Sequence, residues 1–126
     1  MNQPPTELGR ELDAWLAEHA MGWIKVFHRR DWWWCDKDQG PRSLKYMVRE
    51  WHPSIDPRLA VSEIVPAMNE LGWLLIVSQD TQSRYVVRFE SAVDLSTFSP
   101  CIDKNLAGAI CLATAAALTA KKGGAR

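Results

Sequence analysis

The chain has 126 residues, 47% of them hydrophobic and 24% charged, and its fifteen basic residues balance fifteen acidic ones. This composition is typical of a globular domain and not of a disordered chain, and the length fits one core. With a net charge of zero, the protein as a whole is not attracted electrostatically to nucleic acid or anionic lipid, which disfavours generic DNA binding. We predict a single domain over 1–126, with a core at about 6–120 and a short flexible tail at 121–126.

The first part of the chain is predicted to form a helix followed by a β-hairpin. Apolar residues at helical spacing, with a candidate cap in Thr6 and a following glycine, indicate a helix at about Thr6–Ala20. β-type residues at Trp23–Phe27 and at Asp31–Cys35, which holds three consecutive tryptophans, indicate two strands that could pair. Residues 36–41 are rich in turn formers and are expected to form a turn or loop.

The second part repeats this order and adds a closing helix. A helical pattern covers about Pro57–Leu71, and Pro66 inside it lacks the amide that a helix interior needs, so we expect a kink there. Strands follow at Trp73–Val77, which is apolar on both faces like a central strand, and at Tyr85–Phe89. An alanine-rich helical stripe from Leu106 to about Lys122 ends the pattern.

The predicted fold is therefore α+β, with the order α-β-β-α-β-β-α. Both of the first two helices end in a Gly-Trp step, Gly22-Trp23 and Gly72-Trp73, which supports two αββ halves. Strands that come in hairpin pairs favour antiparallel pairing. We expect one antiparallel four-stranded sheet sandwiched between helices, in αβα layers.

Several sequence features together resemble a known family. They are Met21-Gly22-Trp23 after an amphipathic helix, Trp32-Trp33-Trp34, Trp51 followed by Pro53-Ser54-Ile55-Asp56, and Ala109-Ile110-Cys111-Leu112-Ala113. In this order and spacing, from about residue 7 to 118, the chain resembles the phage ABA sandwich domain family of small phage and prophage proteins. The resemblance implies a helix/sheet/helix sandwich encoded by a phage or prophage, and it carries over no catalytic residues.

Cysteine usage and hydropathy indicate a cytoplasmic protein, and the family resemblance implies that the cytoplasm is that of a host bacterial cell. The three cysteines, Cys35, Cys101 and Cys111, are an odd number without a Cys-x-x-Cys pair, so reduced thiols are expected. No export signal is recognisable, and the longest uncharged stretch, 105–120, is shorter than the roughly 20 residues that cross a bilayer. We therefore predict no membrane association.

Charge and tryptophans concentrate in one region. Residues 25–49 hold seven basic and three acidic side chains, a local excess of four positive charges. Arginine suits phosphate or carboxylate groups, and indole offers a stacking surface beside it. We expect any ligand site at 28–52, with Arg29 and Arg30 holding an anionic group and Trp32, Trp34 or Trp51 stacking on its ring; the alternative is a solvated hairpin kept soluble by its charges. The candidate ligand-binding residues are His28, Arg29, Arg30, Trp32, Trp34, Trp51 and His52.

Other chemistries have weaker support. The side chains that could form a metal constellation (His28, Asp31, Cys35, Asp36, Asp38 and His52) match no standard zinc spacing, so no metal and no cofactor are predicted. A nucleophile pair of Cys35 and His52 is conceivable, but the chain has no glycine-rich phosphate loop and no Gly-x-Ser-x-Gly or His-Glu-x-x-His motif. Trp23, Trp33 and Trp73 are expected in the core.

Three functional hypotheses follow. The first is a non-catalytic phage accessory protein that binds a small anionic, nucleotide-like ligand, such as a signal of host defence, and sequesters it. The second is a protein-interaction module that inhibits a host protein, and the third is a small hydrolase or transferase. A homodimer that shares one site is compatible with a domain of this size and its surplus of aromatic residues.

Overall fold

The computed structural model describes residues 4–91 and 100–124 of the chain. The elements are helix α1 (Arg10–His19), strands β1 (Trp23–His28), β2 (Asp31–Asp36) and β3 (Leu44–Met47), the helical segments α2 (Pro57–Leu59), a π-helix (Ala60–Ile64) and α3 (Val65–Glu70), strands β4 (Trp73–Gln79), β5 (Tyr85–Ser91) and β6 (Cys101–Asp103), and helix α4 (Leu106–Gly124). Two 3₁₀ turns, Gly40–Ser43 and Val48–Glu50, flank β3.

In the described part of the chain the strands form two antiparallel sheets, each with three strands, in the orders β1-β2-β3 and β4-β5-β6. The chain is thus α+β, as predicted, but the structure does not show a single four-stranded sheet between helices. Both predicted hairpins exist, β1–β2 and β4–β5. Each gains a short third strand on its second strand, β3 or β6, and these additions complete two separate sheets.

The helices pack between the two sheets. On one side α1 contacts β1 and on the other it contacts α4, while α4 also packs against β5 and β6. The alanines of α4 from Ala107 to Ala117 are almost all buried, as expected of a helix that other elements surround. Small side chains let these neighbours approach closely, so α4 lies at the centre of the core.

The prediction that β4 is a central strand covered on both faces is wrong. In the sheet order β5 is central and β4 is an edge strand. Trp73 faces the core and is 4% exposed, but Leu74, on the opposite face, is 50% exposed. An antiparallel sheet tolerates one solvated face, so an apolar residue on both sides of a strand does not require two covering layers.

Where a kink was expected at Pro66, the structure has a π-helix at Ala60–Ile64, just before the proline. Proline at position 66 cannot donate to the preceding turn, and its ring would clash with the carbonyl four residues earlier in a regular α-helix. Just before it, the Val65 N–H donates to the Ala60 carbonyl, five residues back instead of four. The wider turn keeps 57–70 helical in spite of the proline.

The predicted core tryptophans are buried in two of three cases. Trp23 and Trp73 are 7% and 4% exposed, whereas Trp33 is only half-buried. Trp33 pairs with Val26 and Met47, on the face of the first sheet opposite to Trp34, and its indole N–H donates to the His28 carbonyl at 3.2 Å. The core-facing side of β2 instead carries Trp34. No helix within the described residues is both long and apolar enough to span a membrane.

Candidate functional site

A cavity of about 220 Å³ opens between α1, the first sheet and the 3₁₀ turn at Val48–Glu50. We call it the tryptophan pocket. Its lining comprises three tryptophans (Trp32, Trp34, Trp51), three basic side chains (Arg10, Lys25, Arg49), two acidic ones (Asp13, Asp31) and the small apolar residues Ala14 and Val48. With both carboxyls ionised, the lining has an excess of one positive charge.

Local geometry explains why these residues meet. Trp32 and Trp34 are two positions apart on β2 and so share one face of the sheet. In the β1–β2 register Lys25 lies opposite Trp34, which places it on the same face. Arg10 and Asp13 are three residues apart on α1, so the helix presents both to this face.

The tryptophans differ in how much of their surface a ligand can reach. Trp34 and Trp51 are 2% and 3% exposed, and Trp51 also packs edge-on against Trp23 with ring centroids 4.8 Å apart. Trp32 is 49% exposed and contacts Phe27 edge-to-face at 5.2 Å. Trp34 and Trp51 therefore belong to the inner wall of the tryptophan pocket, and Trp32 forms its rim.

The basic side chains lie at the solvent side of the tryptophan pocket. Arg49 forms an ion pair with Asp31 at 3.2 Å, and the Lys25 ammonium lies 5.6 Å from the centre of the Trp32 ring. Within the described residues Arg10 has no ion pair or hydrogen bond through its side chain. Among the basic side chains of the tryptophan pocket, Lys25 and Arg10 therefore have no ion pair within the protein.

Asp13 is the buried acid of the tryptophan pocket. Its side chain is 4% exposed, and its Oδ1 accepts a hydrogen bond from the Ser54 N–H at 2.9 Å. Its backbone carbonyl accepts the indole N–H of Trp51 at 2.8 Å, which fixes Trp51 against α1. Burial raises the pKa of the Asp13 carboxyl above its ordinary value, while the Ser54 amide and the nearby His52 act in the opposite direction.

The structure brings together part of the predicted site. Trp32, Trp34 and Trp51 all line the tryptophan pocket, but His28, Arg29, Arg30 and His52 are not among its lining residues. Arg29 and Arg30 form the two-residue turn between β1 and β2, with φ of 51° and 67°, and both are exposed.

The two histidines lie elsewhere. The carbonyl of the half-buried His28, at the end of β1, accepts the Trp33 indole N–H. His52 is half-buried near Asp13, and its Nδ1 has no hydrogen-bond partner among the described residues. Because the carbonyl of His52 accepts the Ile55 and Asp56 amides, its backbone shapes the loop that positions Ser54.

Sequence reasoning missed four polar residues of the tryptophan pocket: Arg10, Asp13, Lys25 and Arg49. Lys25 and Arg49 were counted in the basic excess of 25–49 but not assigned a role. Arg10 and Asp13 carry no such signal, because their place beside the sheet depends on how α1 packs and not on any local pattern.

The thiols lack the features of a catalytic nucleophile. Cys35 is fully buried, its S–H donates to the Ile24 carbonyl at 3.7 Å, and burial together with the charge of Asp36 raises the pKa of the thiol. Burial also raises the pKa of Cys101 and Cys111. A raised pKa disfavours the thiolate, which is the reactive form. In the described part of the chain, no three His, Cys, Asp or Glu side chains cluster to hold a metal ion.

Comparison with known proteins gave no match to a family model, to a curated protein or to a solved structure. The resemblance to the phage ABA sandwich family therefore stays a hypothesis from the sequence motifs.

Proposed function

We propose that this domain binds a small, planar, anionic ligand of nucleotide-like chemistry in the tryptophan pocket and does not transform it. The observation that carries the proposal is the convergence of three tryptophans and three basic side chains on one cavity. Indole rings bind planar rings by stacking, and guanidinium and ammonium groups bind phosphate or carboxylate. The raised pKa of the buried Cys35 thiol disfavours the alternative of a cysteine hydrolase or transferase.

The size of the cavity limits the ligand. Its volume of about 220 Å³ is below the roughly 300–1,000 Å³ of pockets that enclose drug-sized ligands. A single ring can stack on the exposed part of Trp32, with an anionic group extending toward Arg10 and Lys25. Stacking contributes about 1–3 kcal/mol per base, and a hydrogen bond to a charged group about 1.5–3 kcal/mol. A cavity of this size, with one stacking surface and one group of cations, suits a mononucleotide better than a polynucleotide.

The biological setting is proposed from the family resemblance. In a phage or prophage protein of the bacterial cytoplasm, binding without turnover would sequester a small signal of host defence. Such a role needs affinity and abundance instead of catalytic groups, which agrees with the absence of a recognisable catalytic motif from the sequence.

The test uses two double variants that remove the same charge. Arg10→Ala/Lys25→Ala removes two cations from the tryptophan pocket, and Arg29→Ala/Arg30→Ala removes two from the nearby hairpin turn. We expect isothermal titration with mononucleotides to show binding at least about tenfold weaker for the first variant, a loss of about 1.4 kcal/mol, and within about twofold of the parent for the second. Equal losses in both variants would show that only overall charge matters and would contradict the pocket.

A protein partner is the second candidate. Phe27 is 61% exposed and forms an apolar surface with Trp32 beside the tryptophan pocket, and exposed aromatic pairs are typical of interaction sites. Phe27 does not line the pocket. Phe27→Ala should therefore weaken binding of a protein partner, including a second copy of this chain, while mononucleotide binding stays unchanged.

A further inference from the structure

The edges of the two sheets differ in how they are protected against pairing with another strand. Among the described strands, β1, β3, β4 and β6 lie at sheet edges. An edge strand offers unpaired N–H and C=O groups, and natural proteins prevent pairing there with short strands, charges, prolines or bulges. β1 carries Lys25, β3 has only four residues including Lys45, and β6 has only three including Asp103.

Strand β4 has none of these protective features. Its seven residues include no charge, glycine or proline, and its register with β5 runs through all seven without a bulge. At about 3.3–3.4 Å per residue, the strand offers roughly 23 Å of edge. Leu74 is 50% exposed and Val77 is 43% exposed, and no described strand pairs with β4 on the side away from β5.

We propose that β4 pairs antiparallel with β4 of a second copy of this chain, which joins two three-stranded sheets into one of six strands. A two-fold axis through Ile76, the middle residue of the strand, gives this arrangement. Leu75 then lies opposite Val77 of the second copy, and Leu74 lies opposite Ser78. The proposal is independent of nucleotide binding, because the tryptophan pocket lies between α1 and the other sheet.

The uneven cover of β4 favours a second copy as the occupant. Helix α3 packs against β4, and on the core-facing side the exposed fraction rises from 4% at Trp73 to 43% at Val77. Because the two-fold axis reverses one strand relative to the other, the covered start of each β4 lies beside the open end of the other. Directly opposed side chains on one face of an antiparallel pair contact each other, so Leu75 of one copy would cover Val77 of the other.

The charges also suit a second copy. In this register every residue of β4 lies opposite an uncharged residue, so no charge is buried without a partner. The chain as a whole has a net charge of zero, which gives no long-range repulsion between two copies.

Sedimentation equilibrium of the intact protein tests the dimer. Seven residues make a short interface, so we expect a monomer–dimer equilibrium with a dissociation constant on the order of 10 µM. Val77→Lys should raise this constant at least about tenfold. Val77 is partly exposed in the single copy, which therefore tolerates lysine, whereas the dimer would cover the ammonium without a partner.

Ile102→Lys is the matched control. Ile102 is 46% exposed and lies on β6, at the opposite edge of the same sheet, so the same substitution adds the same charge away from the proposed contact. Its dissociation constant should stay within about twofold of the parent's, a difference well below one tenfold step. Circular dichroism checks that both variants fold.

Hydrogen exchange tests the position of the interface in the parent protein. Pairing would hydrogen-bond the β4 amides that point away from β5, so their protection should rise with protein concentration. Amides of β3, an edge strand of the other sheet, should exchange at a rate that does not depend on concentration.

Each outcome decides. A parent protein that stays monomeric up to about 500 µM, fifty times the expected constant, would overturn the proposal. A dimer that Leu74→Lys and Ile102→Lys weaken but Val77→Lys does not would pack through the solvent face of the sheet and not through the β4 edge. A dimer that only Phe27→Ala weakens would use the aromatic surface of the first sheet, which also contradicts edge pairing. If Val77→Lys does not fold, the concentration dependence of β4 exchange in the parent decides.

Discussion

Replacing Arg29 by Asn and Arg30 by Gly should stabilise the protein. Both arginines occupy the left-handed region in the two-residue turn between β1 and β2, at φ 51° and 67°. That region costs a residue other than glycine roughly 1–2 kcal/mol, and Asn-Gly is the preferred pair for such a hairpin turn. Relief at both positions, less the roughly 0.5–1 kcal/mol of unfolded-state entropy that glycine adds, gives an expected gain of about 1–3 kcal/mol.

Urea denaturation measures this gain as a higher midpoint at an unchanged slope, and the melting temperature should rise by roughly 3–6 °C per kcal/mol at this chain length. Arg29→Ala/Arg30→Ala is the control, because alanine removes the same charges but keeps the unfavourable φ. A turn variant no more stable than this control would refute the reasoning. Nucleotide binding should be unchanged in both variants, since neither arginine lines the tryptophan pocket.

Three further predictions concern the buried side chains around the pocket and the core. Because burial raises the pKa of Asp13, the folded protein binds the proton of this carboxyl more tightly than the unfolded chain does. This contribution to the free energy of unfolding is fully present below the unfolded-state pKa of about 3.9 and is lost as the pH rises through the folded-state pKa. Asp13→Asn should therefore be more stable than the parent at pH 7, with a smaller difference at pH 4; urea denaturation showing the same difference at both pH values would contradict this. Trp51→Phe removes a buried hydrogen bond to Asp13 and part of an aromatic contact, so we expect a loss of about 1–3 kcal/mol in the free energy of unfolding; an unchanged denaturation midpoint would show that the bond contributes nothing. Trp73→Ala should cost roughly 3–5 kcal/mol because the side chain is 4% exposed, and a measured loss below about 1 kcal/mol would be inconsistent with that burial.

Elements with a long local pattern were predictable from the sequence. The hairpin strands β1, β2, β4 and β5 begin at the predicted residues and extend one or two positions further. Helix α1 begins at Arg10, later than the expected Thr6, because Gly9 at φ 143° lies outside the helical region. β3 and β6 have four and three residues, too few for an alternating pattern to stand out.

The arrangement of those elements was harder to predict. The alternation along β2 correctly placed Trp32 and Trp34 on one face, because strand geometry is local. Long-range packing decides which face of β2 meets the core and brings Asp13 of α1 to that face. No short stretch of the sequence shows this packing. The arginines of the hairpin turn looked suitable for an anion by residue type alone, whereas the pocket takes its cations from α1, β1 and the 3₁₀ turn.

The central position of α4 has a consequence for how the native protein opens. Because α4 contacts α1, the π-helix, β5 and β6, its displacement would disrupt both halves of the core at once. Amide protons in the middle of α4 should therefore exchange with solvent only through global unfolding. Those around Arg29 should exchange through local openings of low free energy. The tryptophan pocket lies between α1 and the β1–β2 hairpin, so a bound ligand would connect the hairpin to α1 and slow exchange mainly in the hairpin.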